Sequence, residues 1–305
     1  MIKLGVMMNP LTTLKPLVDT SLRMMAAATD LGWDCRYFHQ SSLFCRDGRV
    51  GASMMSLQGA LSGVFFLDEL DVVLMRQDPP VTMEYWYALY ALELVESSGV
   101  VVANKPQGIR DANEKFLILN FPSCCVPTLV TQDMQMLHDF WVEHGDVILK
   151  PLDGMGGQSI FRVDSSGVNL PVIVEMMTQK NTKTIMAQRY IPEIQTMGDK
   201  RILLVHGKPV PYALLRTPAS GDIRGNLAAG ATSQVVPITK HDEWLCAQIS
   251  PLLLAKGLSF VGVDVIGDYI TEINVTSPTG MVQIEEATGL AIGADYLQKL
   301  VKVRS

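Results

Sequence analysis

Two runs of β-branched residues, Val261–Ile266 and Tyr269–Val275, flank Gly267-Asp268 and constrain this chain more than any other stretch. Such residues suit a pleated surface and Gly-Asp suits a tight turn, so the segment reads as a β-hairpin. Side chains alternate faces along a strand, so Glu272 and Asn274 point the same way. Register decides whether Asp264 joins them. A two-residue loop pairs Asp264 with Thr271 and puts it on the opposite face. A three-residue loop over Ile266–Asp268 pairs it with Ile270 and gathers all three on one face. Asp264, Glu272 and Asn274 together form an oxygen-only set that suits magnesium better than zinc. The metal reading therefore predicts an odd-length loop or a bulge. The other reading is a half-exposed hairpin whose polar residues face water. Thr276-Ser277-Pro278 then leaves the strand through a rigid turn rich in hydroxyl and amide groups, where a small carboxylate could be held.

An apolar content of 48% is ample for a folded core, and 18% charged residues is too few for a disordered chain of 305 residues. A net charge of −6 argues against a nucleic-acid binder, which would normally show a basic face. The N-terminal MIKLGVMM reads as a first strand rather than a signal peptide. No uncharged apolar run approaches the roughly 18 residues that span a bilayer. The five cysteines are odd in number and show no C-x-x-C spacing, so a reduced cytoplasmic compartment with cysteines in the core is expected. The five histidines are scattered, without H-E-x-x-H, and zinc is not expected.

In chain order, strands are expected at Lys3–Met8, Trp33–Phe38, Asp71–Arg76 and Val100–Ala103. Helices are expected at Thr20–Leu31 and Thr82–Ser98, with a weakly patterned connection at Leu57–Leu70. This alternation predicts a parallel sheet in a small open α/β domain over about residues 1–111. Ligands in such sheets sit at the carboxyl ends of strands, where Asn9, Arg76 and Asn104 fall. Neither G-x-G-x-x-G after the first strand nor a P-loop motif occurs, so any use of ATP must be by another route.

From Asp111 the pattern changes. A short helix (Glu114–Phe121), a strand (Val126–Thr131) and a helix capped by Thr131 (Gln132–His144) lead to Asp146–Lys150, the loop PLDGMGGQ and Ser159–Val163. Strand, glycine-rich loop, strand is the layout of a flap whose backbone N–H groups can close over phosphates, with Gly154, Gly156 and Gly157 permitting close approach. It is also the layout of an ordinary flexible hairpin. Lys150, at the end of an apolar strand, would be costly to bury unless an anion meets it. Ile185–Ile191 is an apolar strand, either plain core or a wall for a flat base. Asp199-Lys200-Arg201 opens a hairpin that returns through Val210–Arg216, so Arg201 and Arg216 should be neighbours. Two such arginines form a solvated rim or a fork for carboxylate or phosphate. Thr217–Thr232, small-residued and without periodicity, reads as a lid that excludes water, with Asp222, Arg224 and Asn226 as its ligating side chains. A helix at Thr239–Lys256 precedes the opening hairpin, and one at about 291–303 closes the chain.

The segments MRQDPP, NKPQGIRDANEK, LKPLDGMGG, GDKRILLV, RGNLAAG and TEINVTSPTG, in this order, resemble the motifs of ATP-grasp ligases. More closely, they resemble those of bacterial glutathione synthetases, from Met1 to about Gly280. The likeness thins between Cys45 and Leu70, and Asn9 stands where an aspartate is expected. The resemblance implies an α/β ATP-grasp fold: an N-terminal open-sheet domain (1–111), a lid subdomain (112–192) and a C-terminal subdomain (193–305). It implies that Lys115 and Lys150 hold ATP phosphates under the glycine flap, and that Gln188, Tyr190 and Ile191 receive adenine. Asp264, Glu272 and Asn274 would bind magnesium or manganese. Arg201, Arg216, Arg224 and Asn226 would surround the γ-phosphate and substrate carboxylates, with Arg76, Asp199, Val275, Thr276 and Ser277 on the substrate side.

The activity so implied is ligation of γ-glutamylcysteine to glycine through an acylphosphate. Positioning and charge neutralisation serve that chemistry better than a covalent catalyst does. A homotetramer is implied, with neither nucleic acid nor membrane as partner. The alternatives are another ATP-grasp carboxylate–amine ligase and a nucleotide-binding protein without activity.

Overall fold

The apolar runs of the chain become strands that collect in three sheets. A computed structural model describes residues 1–57, 60–219, 225 and 230–302. The first sheet contains β1 (Lys3–Met8), β2 (Asp34–Phe38), β3 (Phe44–Arg46), β4 (Arg49–Met55), β5 (Leu61–Phe66), β6 (Val72–Arg76) and β7 (Val101–Ala103). β1 lies between β2 and β6, and β7 follows β6, all parallel. Helices α1 (Thr20–Asp30) and α2 (Met83–Ser97) make crossovers. Asp19 and Thr82 cap them, accepting from the backbone N–H of Leu22 (2.8 Å) and Tyr85 (3.3 Å).

The other edge corrects the expectation of a parallel sheet. There β4 runs antiparallel to β2, β3 and β5. Residues 57–70, expected to be a connection, contain β5. Antiparallel neighbours need only a tight turn, here Asp47-Gly48, whereas parallel ones need a crossover, so this short region carries strands without helical spacing.

After α3 (Pro106–Arg110) and a 3-10 turn at Phe116–Asn120, where a helix was expected, comes the second sheet. Its strands are β8 (Thr128–Thr131), β9 (Val147–Pro151), β10 (Phe161–Val163) and β11 (Ile185–Arg189), in the order β10-β9-β11-β8 and antiparallel. α4 (Met134–His144) and α5 (Leu170–Thr178) bury Leu137 and Val174 against Val147, Leu149 and Ile185. The cap of α4 is Asp133 rather than Thr131, because Asp133 accepts from Gln135 N and Met136 N at 2.8 and 3.1 Å. Thr131 sits two residues upstream and accepts from Asp133 N.

A short α6 (Ile194–Met197) leads to the third sheet: β12 (Asp199–Val205), β13 (Lys208–Thr217), β14 (Thr232–Pro237), β15 (Phe260–Ile266) and β16 (Tyr269–Asn274). Its order is β14-β13-β12-β15-β16, again antiparallel. α7 (Lys240–Ala255) starts at a capping box in which Thr239 and Asp242 satisfy each other's backbone N–H groups. The chain ends with α8 (Met281–Thr288), a helix the sequence pattern did not single out, and α9 (Ile292–Lys302). These two helices return to the first sheet, in one core that joins Leu4, Val6 and Met24 to Leu203, Met281 and Tyr296.

No helix among the described residues is long and apolar enough to cross a membrane. The cysteines are free; Cys124 and Cys246 are buried, but Cys45 is exposed rather than in the core.

Candidate active site

The β15–β16 hairpin contains the bulge that a shared face requires. Ile266 pairs with Tyr269 and Val265 with Ile270 across a two-residue turn, but Asp264 then pairs with Glu272. Thr271 is the extra residue, and without it Asp264 would fall on the opposite face. Asn274 follows on the same face, its Nδ2 donating to Gly262 O and Asp264 Oδ2, both at 3.3 Å. Its amide oxygen is thereby turned away from those acceptors. Two carboxylates and an amide oxygen are a hard donor set that fits a divalent cation of the magnesium type. Among the described residues no group of three or more His, Cys, Asp or Glu converges for a metal, so the amide oxygen is needed to make up the set.

Each carboxylate of this set already meets a cation. Arg201, buried on β12, forks onto Asp264 through Nε (2.5 Å) and Nη2 (2.9 Å), and Arg216 Nη2 adds a third contact at 3.1 Å. Gly262 makes this possible, since a Cβ there would stand 2.9 Å from Arg201 Cδ. Burial pushes the Asp264 carboxyl up, but the two guanidiniums outweigh it and hold the group well below the usual carboxylate range. The arginines are neighbours, as their places in the hairpin predicted, and the carboxylate in their fork belongs to the protein itself.

Asp199 pairs with Arg216 as well, yet burial shifts its carboxyl upward, with the Asp264 charge adding to the effect. Among the described residues, its buried Oδ1 and Arg216 Nε have no hydrogen-bond partner.

Lys115 meets one carboxylate of the set, Glu272, directly, and Lys150 lies close enough to feel the charges of both Glu272 and Asp264. Lys115 Nζ lies 2.9 Å from Glu272 Oε1 and donates to Gly154 O at 2.7 Å, which ties the flap to the third sheet. Gly156 and Gly157 hold positive φ angles of 62° and 79° in that flap, where other residues would be strained. Lys150 is buried, and Thr271 O at 3.1 Å is the acceptor it reaches. Burial pushes it down to about 8, and the neighbouring Lys115 charge adds to the fall against the pull of Glu272. A lysine so placed favours an incoming anion.

Beside it lies a cavity of about 100 Å³ whose wall includes Ile148, Gln188, Tyr190, Ile191 and Ile266. This apolar slot has a polar edge at Gln188, whose Nε2 donates to Thr128 Oγ1 at 3.1 Å. Its shape and lining suit a flat base.

A second cavity, about 270 Å³, is lined by Lys115, the glycine flap, Arg201, Arg216, Glu272, Asn274 and the turn from Thr276 to Thr279. Sequence reasoning missed two of its residues, Glu114 and Asp78, which hold that turn. Glu114 accepts from Val275 N, Thr276 N and Thr276 Oγ1, and Asp78 accepts from Ser277 Oγ. Only an acidic residue next to Lys115, and the aspartate of RQDPP, hinted at them in the sequence.

Arg76 and Asn104 stand at strand ends, as expected, but are used up by the fold. Arg76 donates to Ser21 Oγ (3.1 Å) and Pro278 O (2.9 Å). Asn104 donates to Phe260 O and Val275 O and accepts from the backbone of Ser259 and Phe260. Asn9 bonds to Gln77 and Asp78. It also lines a separate cavity of about 680 Å³ at the carboxyl ends of β1 and β6. Asp222, Arg224 and Asn226 lie outside the described residues.

Two antiparallel sheets with a lysine-lined slot between them, joined to an open α/β sheet, define an ATP-grasp ligase. Among solved structures, the chain superimposes on D-cycloserine synthetase DcsG with a TM-score of 0.73 at 13% identity, covering 99% of this chain and 100% of that one. It matches the ATP-grasp ligase PsnB, in complex with minimal precursor, Mg and ADP, with a TM-score of 0.65 at 15% identity over 99% and 98% of the two chains. These likenesses are of fold. Residues 2–110 match the family described as prokaryotic glutathione synthetase, N-terminal domain, and residues 114–289 that described as prokaryotic glutathione synthetase, ATP-grasp domain. Glutathione synthetase of Pseudomonas syringae pv. tomato is 48% identical over 316 residues, 99% of each chain. That of Coxiella burnetii is 43% identical over 306 residues, 97% of this chain and 95% of the relative. The chain belongs to the prokaryotic glutathione synthetase family, whose members use ATP with a divalent cation.

Proposed function

We propose that the chain joins the cysteinyl carboxylate of γ-L-glutamyl-L-cysteine to the amine of glycine, with ATP converted to ADP and phosphate. The observation that carries this reading is the 270 Å³ cavity, where Lys115, Arg201 and Arg216 face Glu272 and Asn274 beneath a glycine flap. Family membership supports the two substrates.

A carboxylate oxygen attacks the γ-phosphorus in line, and ADP departs with the electron pair of the broken P–O bond. The glycine ammonium gives up a proton, its nitrogen attacks the acyl carbon with the freed lone pair, and phosphate leaves with the C–O bonding pair while the second proton from nitrogen passes to the phosphate or to solvent. Lys150 and the flap backbone hold the phosphates, Gln188, Tyr190 and Ile191 receive the base, and Lys115 bridges flap and cavity. Arg201 and Arg216 orient the carboxylate and balance charge on the transferred group. Asp199 keeps Arg216 in place, and the turn Val275-Thr276-Ser277 offers the substrate its polar wall. A divalent cation held by Asp264, Glu272 and Asn274, magnesium in preference to manganese, would neutralise the phosphate oxygens. Free cysteines support a cytoplasmic setting, and we include a homotetramer in the proposal, which light scattering would test.

A coupled ADP-release assay tests the reaction. Rapid ADP release with γ-glutamylcysteine plus glycine, and little with glutamate or D-alanine in place of glycine, is expected. A preference for either of those amines would overturn it.

A further inference from the structure

Two carboxylates on the wall of the 270 Å³ cavity, Glu114 and Asp78, form no ion pair among the described residues, while the third, Glu272, is paired with Lys115. They grip adjacent residues of one turn. Glu114 Oε1 accepts from Val275 N (2.8 Å), Thr276 N (3.0 Å) and Thr276 Oγ1 (2.8 Å). Asp78 accepts from Ser277 Oγ through Oδ1 and from Asn9 Nδ2 through Oδ2. Every one of these donors is neutral. Glu114 Oε2 accepts no hydrogen bond among the described residues, and the residue is half-buried on the cavity wall.

A carboxylate in that position is stabilised by an arriving cation. Burial pushes both groups up from their usual values, with the Glu272 charge adding to the rise at Glu114, and the Ser277 hydrogen bond and the Arg76 charge opposing it at Asp78. The same cavity also carries Lys115, Arg201 and Arg216, which draw phosphate and carboxylate. One cavity thus has a wall for anions and, across the turn 275–278, a wall for a cation.

We propose that Glu114, with Asp78 beside it, seats the ammonium group of the amine substrate, which under the reading above, on which this inference rests, is glycine. The free Oε2 receives the ammonium, while Oε1 fixes the turn against which the amine is held, so one side chain sets both charge and distance.

Steady-state kinetics of Glu114→Gln test this, because glutamine keeps an oxygen for the turn and removes the charge. The KM for glycine is expected to rise about tenfold or more, the factor made by about 1.4 kcal/mol, with the KM for ATP and for γ-glutamylcysteine moving less than twofold. Hydroxylamine, an amine uncharged at neutral pH, serves as a second nucleophile. The ratio of glycine to hydroxylamine turnover should fall about tenfold in Glu114→Gln and recover in part in Glu114→Asp. Asp78→Asn should shift the same ratio less. Melting curves identify any variant that fails to fold, and Asp78→Asn then carries the test. A wild-type enzyme that does not use glycine would remove the underlying reading. A wild-type enzyme that does, with both variants within twofold of its glycine KM and its nucleophile ratio, would overturn the assignment itself.

Discussion

The strand wall and the turn wall of the central cavity solve the problem of buried charge in opposite ways. On the strand wall Arg201, Arg216 and Lys115 pair with Asp264, Asp199 and Glu272 within the protein, and buried Lys150, on the adjoining 100 Å³ cavity, has no carboxylate at ion-pair distance among the described residues. On the turn wall the hydrogen-bond donors that Glu114 and Asp78 meet among the described residues are all neutral. Internal pairs keep the first wall stable until a ligand exchanges partners with them, whereas the second is left for a charge from outside. An enzyme that joins a carboxylate to an amine needs both kinds of surface within one cavity.

Breaking the strand wall should have the largest effects. Glu272→Gln removes the charge proposed to hold the cation from a side chain that is 20% exposed. Turnover should fall by about 10²-fold or more while the melting temperature barely moves. Activity near wild type would remove Glu272 from the metal set.

Arg201→Met leaves Asp264 buried with one remaining guanidinium. Removing one partner of a buried pair costs about 3 kcal/mol, and a denaturant midpoint that did not shift would show the pair to be dispensable. Lys150→Met should weaken nucleotide binding about tenfold, the loss of one charged contact. Equal affinity by calorimetry would detach Lys150 from the phosphates.

The smallest effect sharpens the comparison through pH. Lys150 sits at about 8, below its ordinary value of 10.5. As pH rises through about 8 the lysine loses its proton, and ATP affinity should fall by up to about tenfold per unit. Stability moves the other way. Between about 8 and 10.5 the unfolded chain binds more protons than the folded one, so folding gains as pH rises. The full cost of the buried charge, about 3 kcal/mol, is felt below pH 8. Lys150→Met should flatten both profiles.

Much of this site was legible in the chain. Alternation along 261–275 placed Glu272 and Asn274 on one face and required a bulge to add Asp264, and the bulge is there at Thr271. The hairpin from Asp199 to Arg216 foretold that its two arginines would meet, since strand pairing is local. Expectation failed in the short antiparallel strands between Phe44 and Phe66, because tight turns leave little periodic signal. It also failed at strand ends: Arg76 and Asn104 face the right way, yet bind Pro278 and Phe260 rather than open cavity.

The sequence by itself determined the strands, the shared face of Glu272 and Asn274 and the lysine before the glycine loop, because each depends on neighbours a few residues apart. Only the tertiary structure decided which charge meets which. Glu114 finds Thr276 across 162 positions, Asp78 finds Ser277 across 199 and Arg201 finds Asp264 across 63. Electrostatic partnership depends on distance through space and on burial, and neither is encoded in local periodicity.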